Sequence, residues 1–387
     1  MFEPRINVVR QKLLKEKLDG VLISSVFNIS YLSGFTNFSE IEREAYMFIG
    51  KDFAYIITDA RYSEAVKKQV PHLTFFERSH QKPIKDLFKK HQKEVKQLGI
   101  EEDNLTVAEH KVLKNHFKST KHFDVGYLRS IKTENEISKI EKACRIGDLA
   151  FDFILKKISK ASLRVSKASL RVSKACDLAI FKTGIAEKEL AGELENFIRS
   201  QGAVFSFPPI IAFGKNSSVP HHQTGSTKLT GNGEFVLLDF GVKFENHCSD
   251  MTRTIFFGKP TGKQKEIYGI VLAAQQKAVD YINSAIKNDK SIKAAEVDKV
   301  ARDYIVSQGY PTIPHSLGHG VGLEVHESPG LSPKSKAILK EGMVFSIEPG
   351  IYIPDFGGVR IEDLFVLENK GLRQITHSSK QIISVKI

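Results

Sequence analysis

The chain has 387 residues, 41% of them hydrophobic and 26% charged, a balance that suits a soluble globular protein of two domains with a core large enough to need no staples. Its three cysteines, Cys144, Cys176 and Cys248, are too sparse for a disulfide framework and show no zinc-type spacing, so a reducing compartment is expected. The formal net charge is +12, but the lysines are scattered rather than clustered, which argues against a nucleic-acid partner.

The N-terminal stretch lacks the continuous apolar run of a signal peptide, and no apolar run approaches the roughly 18 residues that span a bilayer. A cytoplasmic protein with no membrane partner is expected. Arg5–Leu18 has helical apolar spacing at Ile6, Val9, Leu13 and Leu14, with Gly20 as its stop. Val21–Ser24 reads as a buried strand. Tyr46–Ile49 and Ala54–Thr58 read as paired strands turned by Gly50, Lys51 and Asp52. Lys82–Lys96 reads as a basic, exposed helix with Pro83 in its first turn, and Leu98–Glu101 as another strand. Residues 1–130 therefore form a smaller α/β domain, and 131–387 a second one.

The second domain opens with a capping-box pattern, Thr133 to Glu136, ahead of a helix carrying Ile137, Ile140 and Cys144 on one face. Residues 159–173 are a tandem repeat insertion built on Ser-Lys-Ala-Ser-Leu-Arg-Val. Ala161, Val165, Ala168, Val172 and Ala175 recur at helical spacing, and Ala, Leu, Lys and Arg favour helix over the alternating strand or loop reading. Long helices are expected near Gln264–Lys287 and Ala294–Gln308. Phe235–Val242, Thr252–Phe257, Met343–Ile347 and Val359–Leu367 read as strands. Strands grouped with helices in this way make the fold class α+β with a curved antiparallel sheet.

The chemistry concentrates in this half. Asp239 ends the apolar run from Phe235, and Asp250 precedes the next strand, so a hairpin brings the two carboxylates together. Glu348 and Glu362 repeat the arrangement, with the turn at Pro354–Gly358 between them. One such residue alone reads as a capping or salt-bridged carboxylate; a buried carboxylate pair is costly unless protonated, paired or bound to metal, and two such hairpins at strand ends weaken the capping or salt-bridged reading. His315, His319 and His326 fall within twelve residues threaded by Gly318, Gly320 and Gly322, which permit close backbone approach. Four carboxylates and one imidazole favour two hard divalent ions, Mn²⁺ first, with Co²⁺ or Zn²⁺ as alternatives.

These motifs resemble those of the pita-bread-fold metallopeptidases, in the proline-specific branch of Xaa-Pro aminopeptidases and prolidases. The resemblance rests on Asp239-x-Gly241, Ser249-Asp-x-Thr-Arg-Thr254, Gly318-His-Gly-x-Gly322, Val325-His-Glu327, Ile347-Glu-Pro-Gly350 and Gly358-Val-Arg-Ile-Glu-Asp363. More weakly, Asn28–Phe35 and Thr58–Tyr62 resemble a creatinase-type N-terminal domain. The resemblance implies a metal-dependent exopeptidase that cleaves peptides with proline in second position, and by analogy a homodimer. It implies Asp239, Asp250, His319, Glu348 and Glu362 as metal ligands, with Asp250 and Glu362 bridging. Glu348 would also accept the proton of the attacking water. His326 and His221 would steady the substrate carbonyl, His315 would line the pocket, and Arg360 would hold the carboxylates. His222 beside His221 leaves the loop histidine open between the two. His247 stands where many relatives carry Tyr. The rival readings are a different hydrolase on the same fold and a catalytically silent binding protein, the second disfavoured by the intact ligand set.

Overall fold

The structure, a computed structural model, describes residues 2–171, 184–229, 231 and 233–385, with the backbone alone over 160–171. It divides into two compact units, Met1–Arg129 and Ser130–Ile387.

In the first unit the expected N-terminal helix runs over Glu3–Glu16 and buries Ile6, Val9 and Leu13, the face marked by its apolar spacing. It stops at Lys17, which adopts a left-handed φ of 57°, and not at Gly20. Gly20 opens the strand Gly20–Ile23, where an added Cβ would lie 3.0 Å from the Ile49 carbonyl. That strand is central in a six-stranded mixed sheet, antiparallel to Tyr46–Gly50 and parallel to Gln97–Ile100. Its side chains alternate between two cores. Val21 and Ile23 join Ile6, Val9 and Leu13 on one face, and Leu22 joins Leu87, Phe88 and Leu113 on the other. The helix expected over Lys82–Lys96 is shorter, Ile84–His91, and is not an exposed basic rod, because Leu87, Phe88 and His91 are buried. Asp19 captures the backbone N–H groups of Lys96 and Gln97 at 3.0 and 2.8 Å, which feeds the chain into the strand Gln97–Ile100 rather than extending the helix.

The second unit opens as its capping box predicts. Thr133 and Glu136 exchange side-chain-to-backbone hydrogen bonds, and Ile140 and Cys144 are buried. The helix runs over Glu134–Arg171, so the backbone takes the helical reading of the repeat that far. Val172 and Ala175 lie outside the described residues. The strand Glu234–Phe240 is flanked by Ile210–Phe213 and Met251–Phe257, both antiparallel to it. Its inward residues Val236, Leu238 and Phe240 pack with Phe151, Ile154, Leu190 and Leu194 of the helices Glu134–Arg171 and Glu187–Ser200. A five-stranded sheet containing Gly318–Gly320, Val344–Ile347 and Asp363–Glu368 packs Phe345, Ile347, Phe365 and Leu367 against the helices Gly262–Lys287 and Ala294–Ser307.

Two expected strands are broken. The first stops at Phe240 and resumes at Val242, since a Cβ on Gly241 would fall 2.0 Å from the Ser249 carbonyl. The stretch expected over Val359–Leu367 splits into Gly357–Arg360, which pairs with Gly350–Ile353, and Asp363–Glu368, which pairs with Val344–Ile347. Ile361 and Glu362 form the joint between sheets. Arg253 and Asp363, 1% and 0% exposed at their side chains, form an ion pair at 2.6 Å beneath it. Arg253 also donates to the backbone carbonyls of Thr252 and Glu362. Removing one partner of a buried pair strands the other charge, so Asp363→Ala should cost about 3–5 kcal/mol. A lowered midpoint in urea unfolding is the expected outcome, and an unchanged midpoint would remove the pair from the account of this joint.

Candidate active site

The joint at Glu362 explains how residues from two sheets meet. Thr252 is the cross-strand partner of Asp239. The Glu362 backbone N–H donates to the Thr252 carbonyl at 3.1 Å, and the Thr252 hydroxyl donates to Glu362 Oε2 at 2.8 Å. Asp250, one residue before its strand, completes a buried cluster in which Asp239, Asp250 and Glu362 each offer an oxygen within 4.8 Å of the others.

Glu348 and His319 arrive from the five-stranded sheet. The Glu348 N–H donates to the Leu317 carbonyl at 2.8 Å, and the His319 N–H to Ser346 Oγ at 3.1 Å. A Cβ on Gly318 would stand 2.0 Å from the Ser346 carbonyl, so the glycine is what lets this segment lie flat on the Glu348 strand. His319 Nε2 then sits 3.3 Å from Glu348 Oε1 and 3.6 Å from Asp250 Oδ2. His319, Glu348 and Glu362 form a second candidate group, and Asp250, His319 and His326 a third. The five residues expected as ligands are thus brought together. His326 stands edge-on to His319 with ring centroids 4.3 Å apart, within ligand reach by distance alone.

Arg360 donates to Asp239 Oδ2, to Thr252 Oγ1 at 3.1 Å, to the Pro220 carbonyl at 3.3 Å and to the Tyr352 hydroxyl at 2.8 Å. Tyr352 in turn meets His315 Nε2 at 2.8 Å, while His315 Nδ1 donates to the Ser316 carbonyl. That second bond sets the tautomer, leaving Nε2 to accept from the tyrosine. The sequence reading missed Tyr352. A tyrosine in an apolar strand carries no signal until Arg360 is known to reach it. His221 is exposed and follows Pro220, whose carbonyl Arg360 holds. His222 turns away to Glu187. His247 is buried on the hairpin behind Asp250, its Nδ1 on the Glu245 carbonyl at 3.0 Å.

Electrostatics show what the cluster lacks. Burial, reinforced by the neighbouring carboxylates, pushes Asp250 and Glu362 well above the usual carboxylate range. Burial also raises Asp239, against the pull of Arg360. Burial works the same way on Glu348, but the hydrogen bond and charge of His319 outweigh it and leave Glu348 lowered. His319 is opposed by its own burial and still rises to about 9, because Glu348 holds its proton. Asp239 Oδ1, Asp250 Oδ1 and Glu362 Oε1 are buried with no hydrogen-bond partner among the described residues. Buried, unpartnered, mutually repelling oxygens beside an imidazole are the donor set that a divalent cation satisfies.

This gives the metal-free protein a definite pH response. A carboxyl with a raised folded-state pKa binds more protons folded than unfolded, so stability falls as pH rises past the ordinary carboxylate range. His319, also raised, contributes stability that is lost as pH climbs through about 9, the same direction. Melting of chelator-treated protein should therefore come at steadily lower temperature from about pH 7 to about pH 9, above the titration of the histidines whose lowered pKa values work the other way. Mn²⁺ should abolish that slope, since a bound cation favours the deprotonated ligands. A chelated protein whose melting temperature rises over this range would contradict the electrostatic picture.

Comparison with known proteins agrees with this geometry. Residues 138–369 match the model of metallopeptidase family M24, and residues 5–131 match the creatinase/prolidase N-terminal domain. The chain is 35% identical over 388 residues to an Xaa-Pro dipeptidase of Pyrococcus horikoshii, covering 99% of each chain. Among solved structures it resembles an Xaa-Pro dipeptidase from Bacillus anthracis, with a TM-score of 0.84, 35% identity and coverage of 99% of this chain and 100% of that one. It also resembles an X-Pro aminopeptidase from Thermotoga maritima, with a TM-score of 0.78, 30% identity and coverage of 98% and 99%. The chain belongs to metallopeptidase family M24: it is a metal-dependent peptidase with a pita-bread catalytic domain behind a creatinase/prolidase-type N-terminal domain.

Proposed function

We propose that the protein is a dinuclear exopeptidase that hydrolyses the N-terminal Xaa-Pro bond of short peptides. The observation that carries this reading is the convergence of Asp239, Asp250, His319, Glu348 and Glu362 in one buried cluster with three unsatisfied carboxylate oxygens. Its similarity over nearly full length to an Xaa-Pro dipeptidase and an X-Pro aminopeptidase supports the proline specificity. Residues 131–387 would form the catalytic domain, with 159–173 as a repeat insertion, and residues 1–130 the N-terminal domain. Asp239, Asp250, His319, Glu348 and Glu362 would hold two cations, with Asp250 and Glu362 shared between them as the family resemblance implies, Mn²⁺ by the hardness of the donor set. A homodimer in the cytoplasm is the accompanying expectation. Among the described residues no helix is long and apolar enough to cross a membrane.

When bound, the ions supply a Lewis acid for the scissile carbonyl and lower the pKa of water. Glu348 would take the proton of the attacking water at its carboxylate. His326, whose partial burial lowers its pKa and favours the neutral ring, and His221 would offer N–H donors to the developing oxyanion. His315 is occupied at both ring nitrogens, so it would shape the pocket rather than exchange protons. Arg360 would keep Asp239 ionised and aimed at the cation. An Xaa-Pro amide has no N–H, so the pocket must admit a ring where other peptides place a donor.

Chelation should abolish cleavage of an Xaa-Pro dipeptide, and Mn²⁺ or Co²⁺ should restore it. Full activity in protein shown by metal analysis to be empty would end the reading. An Xaa-Pro-Xaa tripeptide assayed alongside decides between dipeptidase and aminopeptidase. His326→Ala should retain metal and lose about 10²-fold in kcat, as loss of one oxyanion donor does. Asp250→Asn should lose metal instead. Unimpaired turnover by His326→Ala would cost His326 its assigned role.

A further inference from the structure

Glu187 is a fully engaged carboxylate outside the metal cluster. It stands in the first turn of the helix Glu187–Ser200, with its side chain fully buried. Four donors converge on it. Oε1 accepts from the Phe213 backbone N–H at 2.9 Å and the Asn216 amide at 2.8 Å. Oε2 accepts from the Gly225 N–H and from His222 Nε2, both at 2.9 Å. All four belong to the segment 213–225, which leaves the strand Ile210–Phe213 beside Asp239 and carries His221 at its tip. The same segment is held on its other side by the catalytic strands. The Gly358 N–H donates to Ser217 Oγ at 2.8 Å, and Arg360 donates to the Pro220 carbonyl. His221 is therefore suspended between two anchors, and Glu187 is the rear one.

We propose that Glu187 is a positioning residue for catalysis, acting through His221, and that His222 is its tether rather than a second substrate-binding histidine. This rests on the reading that His221 steadies the substrate carbonyl. The physical requirement is orientation. His221 lies on an exposed loop, where an imidazole has no scaffold of its own, and a donor displaced by about 1 Å forfeits about 10²-fold in rate. A carboxylate accepting four hydrogen bonds from one loop removes that freedom, and burial strengthens each bond. The adjacent histidines then divide their work. The ring of His222 satisfies Glu187, while His221, between it and the Pro220 carbonyl that Arg360 holds, is left exposed.

Glu187→Gln tests this. An amide group in place of Oε2 would face the Gly225 N–H donor, so the variant keeps size and loses the convergence. In the Mn²⁺-loaded full-length enzyme, metal content and KM should stay near their original values while kcat falls about 10-fold to 100-fold. A scaffold role would not produce the decisive result, which comes from a double-mutant cycle. In a His221→Ala background, Glu187→Gln should remove less than about 2-fold more, because the residue it positions is gone. His222→Gln, which retains a donor for Glu187, should lose less kcat than His222→Ala. If Glu187→Gln does not fold, Asn216→Ala deletes one donor and should show a smaller fall in kcat that likewise vanishes without His221. Full turnover by Glu187→Gln, or an equal loss with and without His221, overturns the inference while leaving the role of His221 intact. A fully active His221→Ala enzyme would instead overturn the role of His221, and this inference with it.

Discussion

The second unit is organised around the repulsion of four carboxylates held in one buried place. Asp239, Asp250, Glu348 and Glu362 would separate or protonate if the chain allowed it. Three of the four are denied that freedom by different devices. Arg360 grips Asp239, and His319 grips Glu348. Thr252 holds Glu362 through both its hydroxyl and its carbonyl. Beneath them the Arg253–Asp363 pair, joined by Thr376, Gln275 and Lys380 on Asp363, locks the backbone from which two of the carboxylates project. The polar density of this layer would be wasteful in an ordinary core. It is intelligible as the support that keeps a cation site open.

The support is built from backbone choices as much as from side chains. A continuous strand alternates its residues between two faces, so it presents only every second residue to one site. The break at Ile361 and Glu362 carries the chain from the Gly350–Ile353 partner to the Val344–Ile347 partner, so Arg360 and Glu362 meet the cluster at the joint between two sheets while Asp363 enters the network behind it. Gly318 and Gly241 perform the complementary task, removing side chains where two backbones must nearly touch. Function therefore depends on the places where regular structure stops.

Much of this was legible beforehand. The capping box at Thr133, the alternation in the N-terminal strands and the two carboxylate hairpins are local patterns, and local patterns survive folding. The four carboxylates came from spacing and residue type, while the choice of His319 among the histidines and the roles of all five were supplied by resemblance. The rest depends on partners distant in sequence. Nothing near Glu187 signals that Phe213, Asn216, His222 and Gly225 will meet on it. Nothing near Tyr352 signals that it will bridge Arg360 and His315. The break at Glu362 was hidden because Val-Arg-Ile-Glu-Asp-Leu-Phe-Val reads as one strand, and only two different pairing partners, Gly350–Ile353 and Val344–Ile347, divide it. The choice between His221 and His222 was open for the same reason, since the partner that distinguishes them is a helix residue far upstream.

The wide separation of the ligands along the chain bears on how the molecule comes into being. Asp239 meets Glu362 only after the Met251–Phe257 strand has paired with Glu234–Phe240 and the Glu362 backbone has docked on Thr252. His319 joins only when its segment has settled on the Val344–Ile347 strand. These are long-range closures, whose entropy must be lost before any contact repays it, so they form slowly and late. A cation meeting the nascent chain finds isolated carboxylates with little hold on it. The complete donor set therefore exists only once these closures have formed, so it is the finished scaffold that offers a cation its site.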